Sequence, residues 1–298
     1  MWLISTSIAF LSWAMVSVFY KITNKVDEDT HLKTGILVGL TMGIHAFIYM
    51  IYKGMGINFL DVLKYFPISV LYIASMIVGY RGLKYIELSI SSPIQNSSGV
   101  ITAILFVIFF HEVYGVSFYI AALLIVIGVI VLSIDEMKKS KEKRKNFLKT
   151  NSFKKLFTLG IMFPLVYSLF DGLGTFLDGV YLDKLEYISA DSALISYEFT
   201  FLAYGIITYF YLKKKHPKVK VFNEWNLYAA AMCEMVGQVF YVFAMAENAT
   251  LAAPIIGSYC VMTMLLSRVF LKEKLTKIEY LGIALVLIGV IMLAILDV

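Results

Sequence analysis

Charge is what this chain has least of. Charged residues make up 16% of its 298 positions, against 60% hydrophobic ones. A soluble protein of this size carries roughly a quarter charged residues, so a soluble class is excluded and an integral membrane protein is expected. Cysteine is nearly missing as well. Cys233 and Cys260 both sit inside apolar stretches, where packing is the expected role rather than a disulfide or metal site. There is no ligand cluster with metal spacing, no phosphate loop and no nucleophile elbow. No metal or cofactor is therefore expected, and no soluble-enzyme chemistry. The N-terminus lacks a basic leader and a small-residue cleavage site, so residues 2–20 read as a retained span.

What the chain does have is apolar stretches long enough to cross about 30 Å of hydrocarbon as helices. They fall near 2–20, 33–52, 66–84, 89–110, 117–134, 157–178, 190–212, 226–246, 250–271 and 278–296. The expected fold class is all-α, with ten transmembrane helices. The chain also repeats itself. Residues 80–134 recur at 241–295 with an offset of 161 and no gap, identical at 17 of 55 positions. Apolar composition alone could produce some of these matches, but not Tyr80, Pro93, Ser97, Thr102, Glu112, Tyr119 and Gly128 in register with Tyr241, Pro254, Ser258, Thr263, Glu273, Tyr280 and Gly289. The expected organisation is a first five-helix repeat at 1–137, a basic linker at 138–156 and a second repeat at 157–298.

Basic residues set the orientation. Numbering each loop by the span it follows, the odd loops hold 23 of the 26 Lys and Arg, and the even loops hold only Lys53, Lys64 and Lys184. Short loops rich in Lys and Arg stay cytoplasmic, so both termini are expected on the extracytoplasmic side of the plasma membrane. Five spans per copy is an odd number, so the second copy enters the membrane inverted. Inverted repeats suit alternating access around a cavity between the halves. The run Lys138 to Lys145 reads as a solvated topology determinant, with anionic lipid heads as the lesser alternative. No nucleic-acid partner is expected, because no folded domain presents the charge.

Ten spans as 5+5, with Pro93 and Pro254 opening spans 4 and 9, resemble the EamA-type transporters of the drug/metabolite superfamily. So do the turns Phe110-His111-Glu112 and Leu271-Lys272-Glu273, each followed by a span containing Ile-Gly-Val-Ile. The resemblance implies a secondary carrier of small metabolites, with spans 5 and 10 peripheral and the other spans around the cavity. It does not select a substrate.

Polar groups within the spans are the candidate site, because ionisable side chains in mid-membrane mark a pathway or a pair. Asp171 lies in span 6 and Glu198 in span 7, at similar depth in the outer half, and His45 of span 2 reaches that depth too. Glu234 and Gln238 lie in span 8. An acidic excess with no deep basic set suits a cationic substrate or proton coupling, the latter at Asp171, Glu198 and His45. The plain alternatives are that Glu234 pairs with Arg268, that Asp171 bonds neighbouring hydroxyls and that His45 is a packing residue. Span 4 opens with Gln95 and Asn96, whose partners at the offset are Ile256 and Gly257. That asymmetry favours binding over packing. Trp13, Tyr72, Tyr197 and Tyr259, with Tyr241, could form an aromatic cage for a cation, although packing is the ordinary role of each alone. Trp2 and Trp225 read as interfacial anchors. Gly35, Gly39 and Gly43 share one face of span 2 and read as a close helix contact.

The leading expectation is a secondary transporter of a small polar or cationic metabolite: an amino acid, an amine or a quaternary ammonium such as choline. Its partners are that substrate and the lipid bilayer. A multidrug or nucleotide-sugar carrier of the same superfamily is the alternative, the latter disfavoured by the missing deep basic residues. A membrane enzyme on a lipid-linked substrate would draw on Asp178, Asp183, Glu186 and Asp191, which read as acids around the loop after span 6. A receptor or assembly factor gives the inversion no purpose.

Overall fold

The computed structural model describes residues 1–23, 29–82, 95, 98–110, 115–145, 152–270 and 275–295. Ten α-helices form among them: α1 (Trp2–Thr23), α2 (Thr30–Lys53), α3 (Phe59–Gly82), α4 (Ser98–Phe110), α5 (Val116–Lys145), α6 (Ser152–Gly179), α7 (Ala190–Lys215), α8 (Trp225–Ile256), α9 (Cys260–Phe270) and α10 (Lys277–Ile295). A π turn, Val180–Lys184, prolongs α6. No strand occurs among the described residues. Five stretches are long and apolar enough to cross a bilayer: Trp2–Tyr20, Thr30–Lys53, Phe59–Gly79, Ala190–Lys215 and Trp225–Ile256. The apolar runs Ile101–Phe110, Val116–Leu132 and Cys260–Phe270 are shorter.

Local chemistry explains where the helices stop and start. α2 ends at Gly54, whose left-handed φ of 63° suits a residue without Cβ, and the Met55 N–H reaches back to the Met50 carbonyl at 3.0 Å. The Ser189 hydroxyl caps α7 by accepting from the Ser192 N–H at 3.2 Å. α10 opens with a reciprocal capping box. The Thr276 N–H donates to Glu279 Oε2 at 2.6 Å and the Glu279 N–H donates to Thr276 Oγ1 at 3.2 Å. The basic run expected as a linker begins inside α5, which continues to Lys145.

Spans 8 and 9 depart from the simple expectation. α8 runs past residue 246 to Ile256, across a kink at Asn248 (φ −162°, ψ 81°). The chain then turns at 257–259 before α9 begins. Pro254 removes one backbone donor. Short-range bonds keep the turn satisfied: Ser258 N–H to the Ile255 carbonyl at 3.1 Å and Tyr259 N–H to the Ile256 carbonyl at 3.0 Å.

Two compact units divide the chain, Met1–Ile73 with Leu177–Ala249, and Ala74–Phe176 with Thr250–Val298. Each draws helices from both sequence copies. In the first, α2 lies along α7. Gly35, Gly39 and Gly43 face Tyr204, Phe201 with Gly205, and Leu202, and a Cβ at Gly39 would meet the Phe201 carbonyl. The expected close contact of this glycine face is present. In the second unit α5 lies along α10. There Gly128 faces Gly282 and Val286, while Gly289 faces Ala121 and Ile125.

Gly282, Val286 and Gly289 are the offset counterparts of Ala121, Ile125 and Gly128. The same contact is therefore made twice, once from each copy, as a two-fold relation demands. Residue numbers rise along α5 as their partners fall along α10, so these equivalent helices run antiparallel. Along α2 and α7, likewise offset counterparts, the contacts from Gly39–Gly205 to Tyr49–Asp191 follow the same sense. In each unit, then, a helix of one copy runs antiparallel to its counterpart in the other.

Exposure is reversed relative to a soluble protein. Ile44, Phe47, Ile48 and Ile51 of α2 and Ile206, Ile207 and Phe210 of α7 are exposed, while Ser196 and Glu198 are buried. Apolar side chains outside and polar ones inside suit a lipid solvent. Trp225 is 80% exposed, whereas Trp2 is buried.

Candidate functional site

The polar centre of the first unit is Asp178, which the sequence pattern places beside the loop after span 6. It lies in the last turn of α6 with no exposed surface. Burying a carboxylate is costly unless donors surround it, and three phenols do so. Tyr65 donates to Oδ1, while Tyr72 and Tyr241 donate to Oδ2 at 2.7 and 2.9 Å. The Tyr72 and Tyr241 hydroxyls are also 2.7 Å apart. Tyr65 and Tyr72 are seven residues apart on α3, so they present both phenols on one helix face. Tyr241 comes from α8.

Rings extend this cluster. Trp13 of α1 lies against Tyr241 with centroids 5.1 Å apart, and Tyr72 meets Tyr197 of α7 edge-on at 5.8 Å. The Trp13 ring packs over Gly237, where a side chain would leave it no room. Four of the five proposed cage aromatics, Trp13, Tyr72, Tyr197 and Tyr241, thus meet beside Asp178. Gln238, one turn before Tyr241 on α8, is 2% exposed, and its amide nitrogen has no hydrogen-bond partner among the described residues. Glu234, one turn earlier, is half-buried.

A second acidic group lies along the α2–α7 seam. Glu198 is fully buried, and both its oxygens lie within reach of His45 Nδ1, at 2.8 and 2.9 Å. The equal depth inferred from sequence is a direct contact. His45 stacks on Tyr49 at 5.6 Å, and the Tyr49 hydroxyl donates to Asp191 at 2.5 Å. Lys53 meets the other oxygen of Asp191 at 3.3 Å.

The remaining predicted residues belong to the second unit. Asp171 accepts hydrogen bonds from Ser98 and Tyr167. Tyr167 and the Gln95 amide both press on Gly79 of α3, so Gln95 and Asp171 share one polar neighbourhood. Tyr259 lies half-buried in the turn at 257–259. Asn96 lies outside the described residues. Arg268 lies over the Tyr280 ring at 5.3 Å. A recess of about 440 Å³ between α4 and α5 is lined by such residues as Ala103, Val107, Phe118 and Ala122. It has no charged lining residue, and its lining is almost wholly apolar, with the Tyr119 phenol the exception among the described residues.

The acids grouped around span 6 disperse. Asp183 accepts the Ala249 N–H at 3.1 Å, Asp191 holds Tyr49 and Lys53, and Asp178 is buried elsewhere. No group of three metal-ligating side chains occurs among the described residues. Sequence reasoning missed Asp178, Tyr65 and the weight of Tyr241. One signal was available: Asp178 has Ser17 at the offset, so it breaks the repeat as the other acids do.

A family model for EamA-like transporters matches the chain twice, over residues 1–134 and 158–295. The chain belongs to the EamA-like transporter family. The two matches fall on the two copies read from sequence, and family members are transporters of the drug/metabolite superfamily rather than enzymes. With its apolar helices the chain is a multi-pass membrane protein of that family. A solved crystal structure of another protein is similar over 99% of this chain and 97% of its own, with a TM-score of 0.71 at 13% identity. That likeness concerns the fold alone. No curated protein matches the chain by sequence.

Proposed function

We propose that this EamA-like protein is a secondary transporter of a small polar or cationic metabolite: an amino acid, an amine or a quaternary ammonium such as choline. The observation that carries the reading is the buried Asp178 held by three tyrosine hydroxyls beside the Trp13 and Tyr197 rings. A fixed negative charge among π-faces attracts a desolvated cation twice over, through the carboxylate and through the ring quadrupoles. The hydroxyl donors satisfy the carboxylate oxygens and bring no opposing charge. Gln238 supplies a free amide donor for an acceptor oxygen on the same ligand, and Glu234 adds charge towards the other end of α8. In the second unit, Asp171 and Gln95 share a polar neighbourhood.

In this reading ten helices cross the plasma membrane as two inverted five-helix repeats. The termini and the Asp191 end of α7 face outward, as the basic loops require. Movement is by alternating access, with proton coupling at Glu198 and His45, and at Asp171. A nucleotide-sugar substrate is disfavoured, since its phosphates need basic partners and acids occupy the candidate positions.

The test is uptake of labelled choline, amines and amino acids into proteoliposomes, with and without a pH gradient. Saturable movement of at least one of them, lost in Asp178→Asn, supports the proposal. If none moves under any gradient while the protein stays folded, the proposal fails.

A further inference from the structure

The α2–α7 seam carries more than a buried pair. His45, Tyr49 and Lys53 repeat every four residues on one face of α2, and Asp191 and Glu198 stand seven apart on one face of α7. Antiparallel packing places the two rows opposite each other. The result is an ordered ladder, Glu198–His45–Tyr49–Asp191–Lys53, spanning about 10 Å along the helix axis. Exposure rises along it, from 0% at Glu198 through 23% at His45 and 29% at Asp191 to 38% at Lys53. A packing histidine needs neither a carboxylate with both oxygens against its Nδ1 nor a surface acid lined up beyond it.

We infer that His45 carries protons between the open side of this seam and Glu198, separate from the Asp178 cluster. This rests on the transporter reading only for its use, not for its existence. The proton comes from outside the seam, to which His45 is 23% exposed. His45 takes a proton at Nε2 and passes the one on Nδ1 to Glu198, so the ring ends neutral and the carboxylate becomes a carboxyl. The reverse transfer releases it. Tyr49 is a positioning residue: its ring holds the imidazole plane by stacking, and its hydroxyl is anchored on Asp191. Lys53 holds the second Asp191 oxygen. Tyr52 is the other titratable group facing Tyr49.

Infrared difference spectroscopy on the full chain in liposomes, after a pH jump and with no substrate present, tests the path itself. A carboxyl signal that disappears in Glu198→Gln is expected, because glutamine keeps the His45 contact but takes no proton. His45→Gln should slow protonation of Glu198 at least about a hundredfold, the lower end of what a positioned proton carrier contributes. Tyr49→Phe keeps the stack, loses the Asp191 anchor and should slow it less. An unchanged carboxyl signal in Glu198→Gln, or equal rates in His45→Gln and the natural protein, overturns the inference. Choline uptake provides the second arm. Uptake that a pH gradient drives in the natural protein but not in Glu198→Gln supports the path's use. Uptake indifferent to the gradient removes that use and leaves the transporter reading intact.

Discussion

The two antiparallel helix pairs, α2 with α7 and α5 with α10, are built alike and used differently. Each joins offset counterparts from the two copies, and each closes on glycines that let the backbones approach. Along α2–α7 the seam continues from Gly39 and Gly43 into His45–Glu198 and Tyr49–Asp191. Along α5–α10 the described contacts are Gly128, Gly289, Ile125, Val286 and Leu132, and the polar contact comes only at the end, where Thr276 donates to Asp135 at 2.7 Å. Duplication supplied one packing scheme. Chemistry was added to one pair and left out of the seam of the other.

If both seams are scaffold, crowding either should unfold the protein. Gly39→Ala is expected to cost about 3 kcal/mol or more, because its Cβ meets the Phe201 carbonyl and no flexible side chain can yield. Gly128→Ala, facing a carbonyl and a valine methyl, should cost about 1–3 kcal/mol. Thermal unfolding in detergent would measure both, and a stable Gly39→Ala would show that the seam gives way. Next in size is Asp178→Asn. Loss of a charged hydrogen-bonding partner should weaken cation binding by about 10- to 100-fold, read by titration with choline. Trp13→Leu removes one ring face and should weaken the same binding by about 2- to 30-fold. Smallest is Thr276→Ala, which breaks the α10 capping box and should lower stability by about 1 kcal/mol without changing transport.

Much of the scaffold was legible because it is written in periodicity. The ten helices, the copies and the glycine face of α2 follow from apolar length, the 161-residue register and four-residue spacing. The His45–Glu198 contact was half legible, as equal depth on two spans. Asp178 was not, because the helix end was drawn at the residue itself and a carboxylate there reads as solvated. Its burial depends on α3 and α8 converging from remote parts of the chain, and no local pattern records that. The break of span 9 at 257–259 was hidden for a related reason. The stretch is apolar throughout, and short-range backbone bonds rather than polar side chains sustain the turn.

In the proposed transporter, substrate chemistry lies in the first unit, on Asp178 and its phenols, and α5–α10 is scaffold. The most direct measurement is the initial rate of labelled cation uptake per folded molecule, compared across the natural protein, Asp178→Asn and Thr276→Ala. The account predicts a fall of at least about tenfold in Asp178→Asn, with the rate unchanged in Thr276→Ala. Uptake retained in Asp178→Asn and lost in Thr276→Ala would contradict it.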